Sequence, residues 1–184
     1  YSSIAHVGYL LMGFVLLSEA GLIAILFYLL VYTLMNLGAF FYVTAMNNHI
    51  KSEELADYRG IGFRAPWAGA MMVIFLGSLT GIPPFAGFIG KFFLFAAAMD
   101  KELYWLVVVA GLNSVVGLYY YFKVVRAMFL VKPDENDDAT PLKLHWLQYV
   151  VLAALAIPTL GLGLFFGQVT ELAETAVKLL SAGM

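Results

Sequence analysis

The chain reads as an all-α membrane protein: a single bundle over residues 1–184 with about five transmembrane helices, the third of them broken. Three observations predict this. Hydrophobic residues fill 62% of the 184 positions and charged residues only 12%, with a mean hydropathy of +0.88. A soluble domain is nearer about 45–50% apolar and about 25% charged. Apolar runs of the roughly 20 residues that cross a bilayer recur along the whole sequence. One run, too long for a single straight span, carries Gly81-Ile82-Pro83-Pro84 in its middle.

The first span covers 2–17 and the second 22–46. The third runs over 66–99 and is broken near 79–85. The fourth covers 104–130 and the fifth 146–166. Beyond it, Val169, Leu172, Ala173, Ala176 and Leu180 share a helical face and predict a short interfacial helix. Tyr1 is not an initiator, and no charged leader follows it, so the chain reads as the C-terminal fragment of a longer one.

Composition excludes several classes of function. The net charge is −2 and the ten basic residues are spread along the loops, so no nucleic-acid surface is predicted. With no cysteine, disulfides and thiolate or iron–sulfur ligation by this chain are ruled out. His6, His49 and His145 are scattered and predict no metal centre. His49 and His145 fall at loop edges.

Loop charges give an orientation. Lys51, Arg59, Arg64, Lys123, Arg126, Lys132 and Lys143 collect on one side, and Lys101 and Lys178 on the other. The excess predicts that loops 47–65 and 131–145 face the cytoplasm and that the C-terminus faces outward. Asp134, Glu135, Asp137 and Asp138 also lie in the inner loop but carry little weight in this rule. Lys123 and Arg126 end a complete span and read as anchors at the inner interface.

The broken span has a mechanical reading. Pro83 and Pro84 supply no N–H, so in a continuous helix the carbonyls of Leu79 and Thr80 would lose their donors. At membrane depth that is tolerated only inside protein or beside water. Gly81, Gly87 and Gly90 allow close backbone approach. A second half-helix starts near Pro84, and Lys91 lies about 10 Å along it at 1.5 Å per residue.

Lys91 is the most informative residue. A lysine at a helix centre costs about 2.5–3.5 kcal/mol on insertion scales. A broken helix beside a buried cation is an arrangement that ion-moving proteins use, and it points to charge translocation. The competing reading is a lysine snorkelling to an interface. Phe92 to Met99 add eight apolar residues before Asp100, which sets Lys91 about 12 Å from the segment end, deep for snorkelling. A lysine held out of water can exchange its proton as neighbouring charges change, and a fixed carboxylate partner would hold that proton in place. No close carboxylate is therefore expected beside it.

His6 is the second candidate. It lies in the apolar run Ser2-Ser3-Ile4-Ala5-His6-Val7-Gly8-Tyr9, with the Ser2 hydroxyl one turn before it. A histidine near neutral pH suits a proton relay, and one simply satisfied between helices is an equal reading of the local sequence. His6 and Lys91 are expected on one polar axis facing the bundle interior. Tyr28, Tyr32, Thr33 and Asn36 share a helical face. With Ser2, Ser3 and Thr80, the residues Tyr32 and Asn36 could line a hydrated path. Interhelical hydrogen bonding accounts for them equally, as it does for Asn113, Ser114 and Tyr119-Tyr120-Tyr121.

These residues resemble a family. Tyr1-Ser2-Ser3-Ile4-Ala5-His6-Val7-Gly8-Tyr9 and Leu79-Thr80-Gly81-Ile82-Pro83-Pro84-Phe85-Ala86-Gly87-Phe88-Ile89-Gly90-Lys91-Phe92 are similar to stretches of the antiporter-like membrane subunits of respiratory complex I. Gly117-Leu118-Tyr119-Tyr120-Tyr121-Phe122-Lys123-Val124-Val125-Arg126 resembles the N-type of these subunits in particular. The M-type carries a glutamate at the position of Lys91, and the long lateral helix of the L-type is absent.

The resemblance implies the second inverted repeat of an antiporter-like bundle plus a final helix. It implies that Lys91 is a proton-exit lysine on the broken helix and that His6 lies on the central polar axis. It further implies a bacterial inner membrane and neighbouring antiporter-like subunits as partners. NADH, FMN, Fe–S clusters and quinone would be held elsewhere in the complex, and this chain would bind no cofactor. A D-type subunit of a multisubunit sodium/proton antiporter has a similar Gly-Phe-Ile-Gly-Lys motif and is the alternative. A scaffold without its own channel is the alternative of another class.

Overall fold

The computed structural model describes residues 2–52, 54–131 and 140–182. Lys132, Asp134, Glu135, Asp137, Asp138 and Tyr1 lie outside them, as does the side chain of Leu180. The regular structure among the described residues is all helical, without strands. In order they form α1 (Ser2–Val15), α2 (Glu19–Ile50), a 3-10 turn (Leu55–Tyr58), α3 (Ile61–Arg64), α4 (Pro66–Thr80), α5 (Ala86–Asp100), α6 (Tyr104–Phe129), α7 (Trp146–Leu164) and α8 (Gly167–Ala182).

Local chemistry sets the boundaries. Ser18 caps α2, its Oγ accepting the Gly21 N–H at 3.1 Å, which satisfies one of the helix's free donors. Lys51 ends α2 in the left-handed region at φ 55. α2 is therefore longer than the apolar run 22–46, because Ser18 caps it early and Asn47, Asn48 and His49 continue the helix past its apolar part. Pro66 opens α4, where its missing N–H costs nothing. His145 caps α7, and its backbone N–H donates to Gln148 Oε1 at 2.9 Å, a reciprocal capping box.

α2 runs through the middle of the bundle and packs against α1, α4, α5, α7 and α8. Its inward side chains Phe27, Val31, Met35 and Tyr42 are fully covered. Gly38 lets the ring of Phe75 on α4 lie directly on the α2 backbone. The outer faces are apolar too: Val108, Leu112, Val115 and Tyr119 on α6 are each more than half exposed. Such surfaces belong against lipid or other protein. α2, α6 and α7 are long and apolar enough to cross a membrane by length and composition.

α8 departs from the expected face. Ala173 and Val177 are buried, while Leu172 is 69% exposed and Ala176 is exposed. Docking on α2 selects one i, i+4 row of α8, and that row excludes Leu172.

Candidate functional site

Residues 81–85 separate α4 from α5. Gly81 takes φ 86, a left-handed conformation that caps α4, and its N–H donates to the Gly77 and Ser78 carbonyls, both at 3.0 Å. A Cβ on Gly87 would land on the Ser78 carbonyl oxygen, so glycine is what allows the start of α5 to press against the end of α4. The Ser78 hydroxyl accepts the Gly87 N–H at 3.0 Å. From the other side, Gly163 of α7 lies on the Pro84 carbonyl. The interruption is thus packed on one side against α7, while Ile82, Pro83 and Pro84 remain exposed.

Lys91 reaches back across this junction. Its Nζ donates to the Leu79 carbonyl at 3.1 Å and to the Thr80 carbonyl at 2.9 Å. These are the two carbonyls that Pro83 and Pro84 leave without helical donors. They are also the negative end of α4, where a cation is favoured. A third contact runs to Ser114 Oγ on α6 at 3.4 Å, and Nζ lies 4.8 Å from the centre of the Tyr9 ring. Lys91 is only 6% exposed. No carboxylate among the described residues touches it.

His6 sits one layer away on α1 and is 1% exposed. Its Nδ1 shares a 2.7 Å hydrogen bond with the Tyr28 hydroxyl, and its Nε2 a 3.1 Å bond with the Tyr121 hydroxyl. Each hydroxyl can donate or accept, so either tautomer of the imidazole is satisfied. Tyr32 stacks on the ring at 4.8 Å. Tyr121 also bonds the Ser2 hydroxyl.

Tyr9 joins the two groups. Its ring meets the His6 ring edge-on at 5.8 Å. Its hydroxyl donates to the Ala110 carbonyl at 3.1 Å and shares a 2.7 Å bond with Ser114 Oγ. Tyr9, Ser114 and Lys91 therefore form a hydrogen-bonded line through α1, α6 and α5, and His6, bonded to Tyr28 and Tyr121, touches it only through ring packing on Tyr9. A cavity of about 760 Å³ opens between α1 and α6 beside it, lined in part by Tyr9, Asn113 and Tyr120. A second, of about 380 Å³, is lined by Ser2, Asn36, Leu79 and Tyr121 among others.

The remaining candidates divide. Ser2 and Tyr32 join the His6 cluster, and Asn36 lines the second cavity. Thr80 contributes its carbonyl, while its hydroxyl donates back to the Leu76 carbonyl at 2.7 Å. Ser3 is exposed and stands apart. Thr33 is exposed and bonds its own helix at the Leu29 carbonyl, so it does not share the inward face of Tyr28. Tyr9 and Ser114 were not singled out by sequence as site residues. The i, i+3 spacing of His6 and Tyr9 was the available signal for the first.

Residues 1–117 match the family described as NADH:quinone oxidoreductase/Mrp antiporter, TM. Subunit N 2 of the NADH-quinone oxidoreductase of Chloroherpeton thalassium is 44% identical over 184 residues, covering 99% of this chain and 36% of the relative. The subunit of the same name from Sorangium cellulosum is 46% identical, covering 98% and 36%. The chain thus spans about a third of the length of these curated relatives. Among solved structures, respiratory complex I from Thermus thermophilus with bound aureothin superposes with a TM-score of 0.71 at 30% identity, over 93% of this chain and 38% of that one. The Mrp complex from Dietzia sp. DQ12-45-1b shares the fold with a TM-score of 0.83 at 23% identity, over 94% and 40%. With its apolar helices and more than half of its length matched, the chain is a membrane protein that belongs to the NADH:quinone oxidoreductase/Mrp antiporter transmembrane family.

Proposed function

We propose that this chain is part of a proton-translocating membrane subunit of an NADH–quinone oxidoreductase, with Lys91 and His6 as proton-carrying groups of one half-channel. The observation that carries the reading is the Lys91 amine, buried with no carboxylate among the described residues touching it and held by the two carbonyls freed at the helix interruption. On this reading α4 and α5 are the two halves of one broken transmembrane helix, and the chain crosses the membrane about five times. The loops 47–65 and 131–145 face the cytoplasm of a bacterial inner membrane, with the C-terminus outside. Neighbouring antiporter-like subunits are its partners, and NADH, FMN, Fe–S clusters and quinone belong to other subunits.

Magnitudes support the relay. Moving a proton against 100 mV costs about 2.3 kcal/mol. Contacts of 5.8 Å and 4.8 Å through the Tyr9 ring keep a charge on His6 within about 11 Å of Nζ. At an effective dielectric of about 20, two like charges at that distance repel by about 1.5 kcal/mol. One charge arriving at His6 therefore supplies most of the work of expelling the Lys91 proton.

The test uses the assembled complex in inverted vesicles. Lys91→Ala should depress NADH-driven proton uptake while the subunit remains assembled. Unchanged pumping would leave only the scaffold reading. The fold likeness to the Mrp complex sustains a second reading, sodium/proton exchange without a redox partner. Sodium-dependent proton exchange in vesicles lacking NADH, with no NADH–quinone activity attached to the chain, would select it.

A further inference from the structure

The hydrogen bonds around Lys91 restrict where its proton can go. A charged lysine amine carries three N–H donors, and Nζ has three oxygen partners: the Leu79 and Thr80 carbonyls and Ser114 Oγ. The match is complete while the amine is charged. A neutral amine keeps two donors and gains one lone pair. Backbone carbonyls only accept hydrogen bonds, so neither can face that lone pair, and both keep their N–H partners. The lone pair is left facing Ser114, the one partner of the three that has a hydrogen of its own to give.

From this we infer that the Ser114 hydroxyl, backed by the Tyr9 hydroxyl, is the relay through which Lys91 gives up and regains its proton. Ser114 is built for alternation. Its Oγ lies 3.2 Å from the Ala110 carbonyl, 2.7 Å from the Tyr9 hydroxyl and 3.4 Å from Nζ. With Lys91 charged, the Ser114 O–H points away, to Ala110 or Tyr9. With Lys91 neutral, it turns to Nζ. Release balances hydrogen by hydrogen. Nζ gives one to Ser114 Oγ, Ser114 gives its own to the Tyr9 oxygen, and Tyr9 gives its own to a water that the relay requires beside Asn113 and Tyr120, the other polar groups of a mostly apolar cavity. Each hydroxyl ends with one hydrogen, and the positive charge has left the amine. The Tyr9 ring touches both Nζ and, edge to face, the His6 ring, so on this inference Tyr9 also couples the His6 cluster to Lys91.

This inference rests on the proton-carrying reading of Lys91, and the experiment separates the two. Ser114→Thr and Ser114→Val have nearly the same size and differ by a hydroxyl against a methyl. Both are made in the full complex alongside Lys91→Ala and Tyr9→Phe, and NADH-driven proton uptake is compared in vesicles with equal assembled complex. Ser114→Thr should pump near the parent rate. Ser114→Val should fall on the order of 100-fold, the low end of what a positioned proton donor is worth. Tyr9→Phe, which keeps the ring over Nζ, should fall in the same direction. Equal pumping by the threonine and valine variants, with Lys91→Ala defective, overturns the Ser114 relay and leaves the Lys91 reading standing. Normal pumping by Lys91→Ala overturns both.

Discussion

Replacing Lys91 by methionine separates the stability of the site from its transport. Methionine fills similar volume without donors or charge. The substitution leaves the Leu79 and Thr80 carbonyls, now bonded at 3.1 and 2.9 Å, without partners. Each buried, unsatisfied carbonyl costs about 1–3 kcal/mol, or about 2–6 kcal/mol for the pair. Against this, the span no longer holds an ammonium, which at a helix centre returns about 2.5–3.5 kcal/mol. The two effects largely offset each other, so Lys91→Met should assemble. Native electrophoresis of solubilised membranes should show the complex at near-parent content, while NADH-driven proton uptake in inverted vesicles falls. Lys91→Arg should also assemble, since it keeps donors for both carbonyls. It should transport poorly, because guanidinium does not release its proton in this range. Parent-level pumping by assembled Lys91→Arg would refute proton exchange at this residue and leave only a fixed-charge role.

Gly87→Ala should destabilise the subunit by about 1–3 kcal/mol or more, because its Cβ falls on the Ser78 carbonyl. Gly8→Ala, with open space around its Cβ, is the control, and thermal stability of the solubilised complex is the measurement. His6→Ala removes the partner of the buried Tyr28 hydroxyl, a loss of about 1–3 kcal/mol. Tyr28→Phe added to it should recover part of that loss, and a double-mutant cycle with no coupling would contradict the bond. Sidedness can be read by thiol labelling, since the chain has no cysteine. Single cysteines at Lys51 and Lys178 should react with an impermeant maleimide from opposite faces, and reaction from one face would reverse the assigned topology.

The helical class and the order of the elements were legible because apolar runs and their breaks are local signals. The junction at 81–85 was legible because two consecutive residues without N–H groups cannot sit inside a helix. The pairing of its carbonyls with Lys91 was only half visible. Sequence named Leu79 and Thr80 as lacking donors and Lys91 as costly, but their meeting depends on Gly87 letting the start of α5 press against the end of α4. Ser114 read from sequence as a group for interhelical hydrogen bonding, which it makes to Tyr9 and Lys91, but its meeting with Tyr9 was hidden for another reason. They come from α1 and α6, 105 residues apart, and a lone hydroxyl in an apolar helix looks the same whether it bonds its own backbone, as Thr33 does, or a neighbouring lysine. The burial of Ala173 and Val177 rather than Leu172 was set by docking on α2, which no periodicity within α8 records.

The interruption and the lysine form one device, and the economy of that device argues against a scaffold. Two carbonyls left bare by Pro83 and Pro84 need donors, but a donor need not be charged. A serine or threonine hydroxyl, or an asparagine amide, would satisfy them without the roughly 2.5–3.5 kcal/mol that an ammonium in a span requires. A neutral hydroxyl already serves elsewhere at this junction, where Ser78 accepts the Gly87 N–H. A lysine in the next position along the junction adds an ionisable nitrogen at extra cost. Its surroundings favour the charged form through two carbonyls but do not lock it in an ion pair: no carboxylate among the described residues touches it, and one of its three partners can donate as well as accept. An ion pair would hold the nitrogen in its charged form, because an adjacent opposite charge favours that form. A proton carrier needs the opposite, a cradle that satisfies the charged form fully and the neutral form almost as well. Three oxygens, two of which accept only and one of which can turn, meet that requirement.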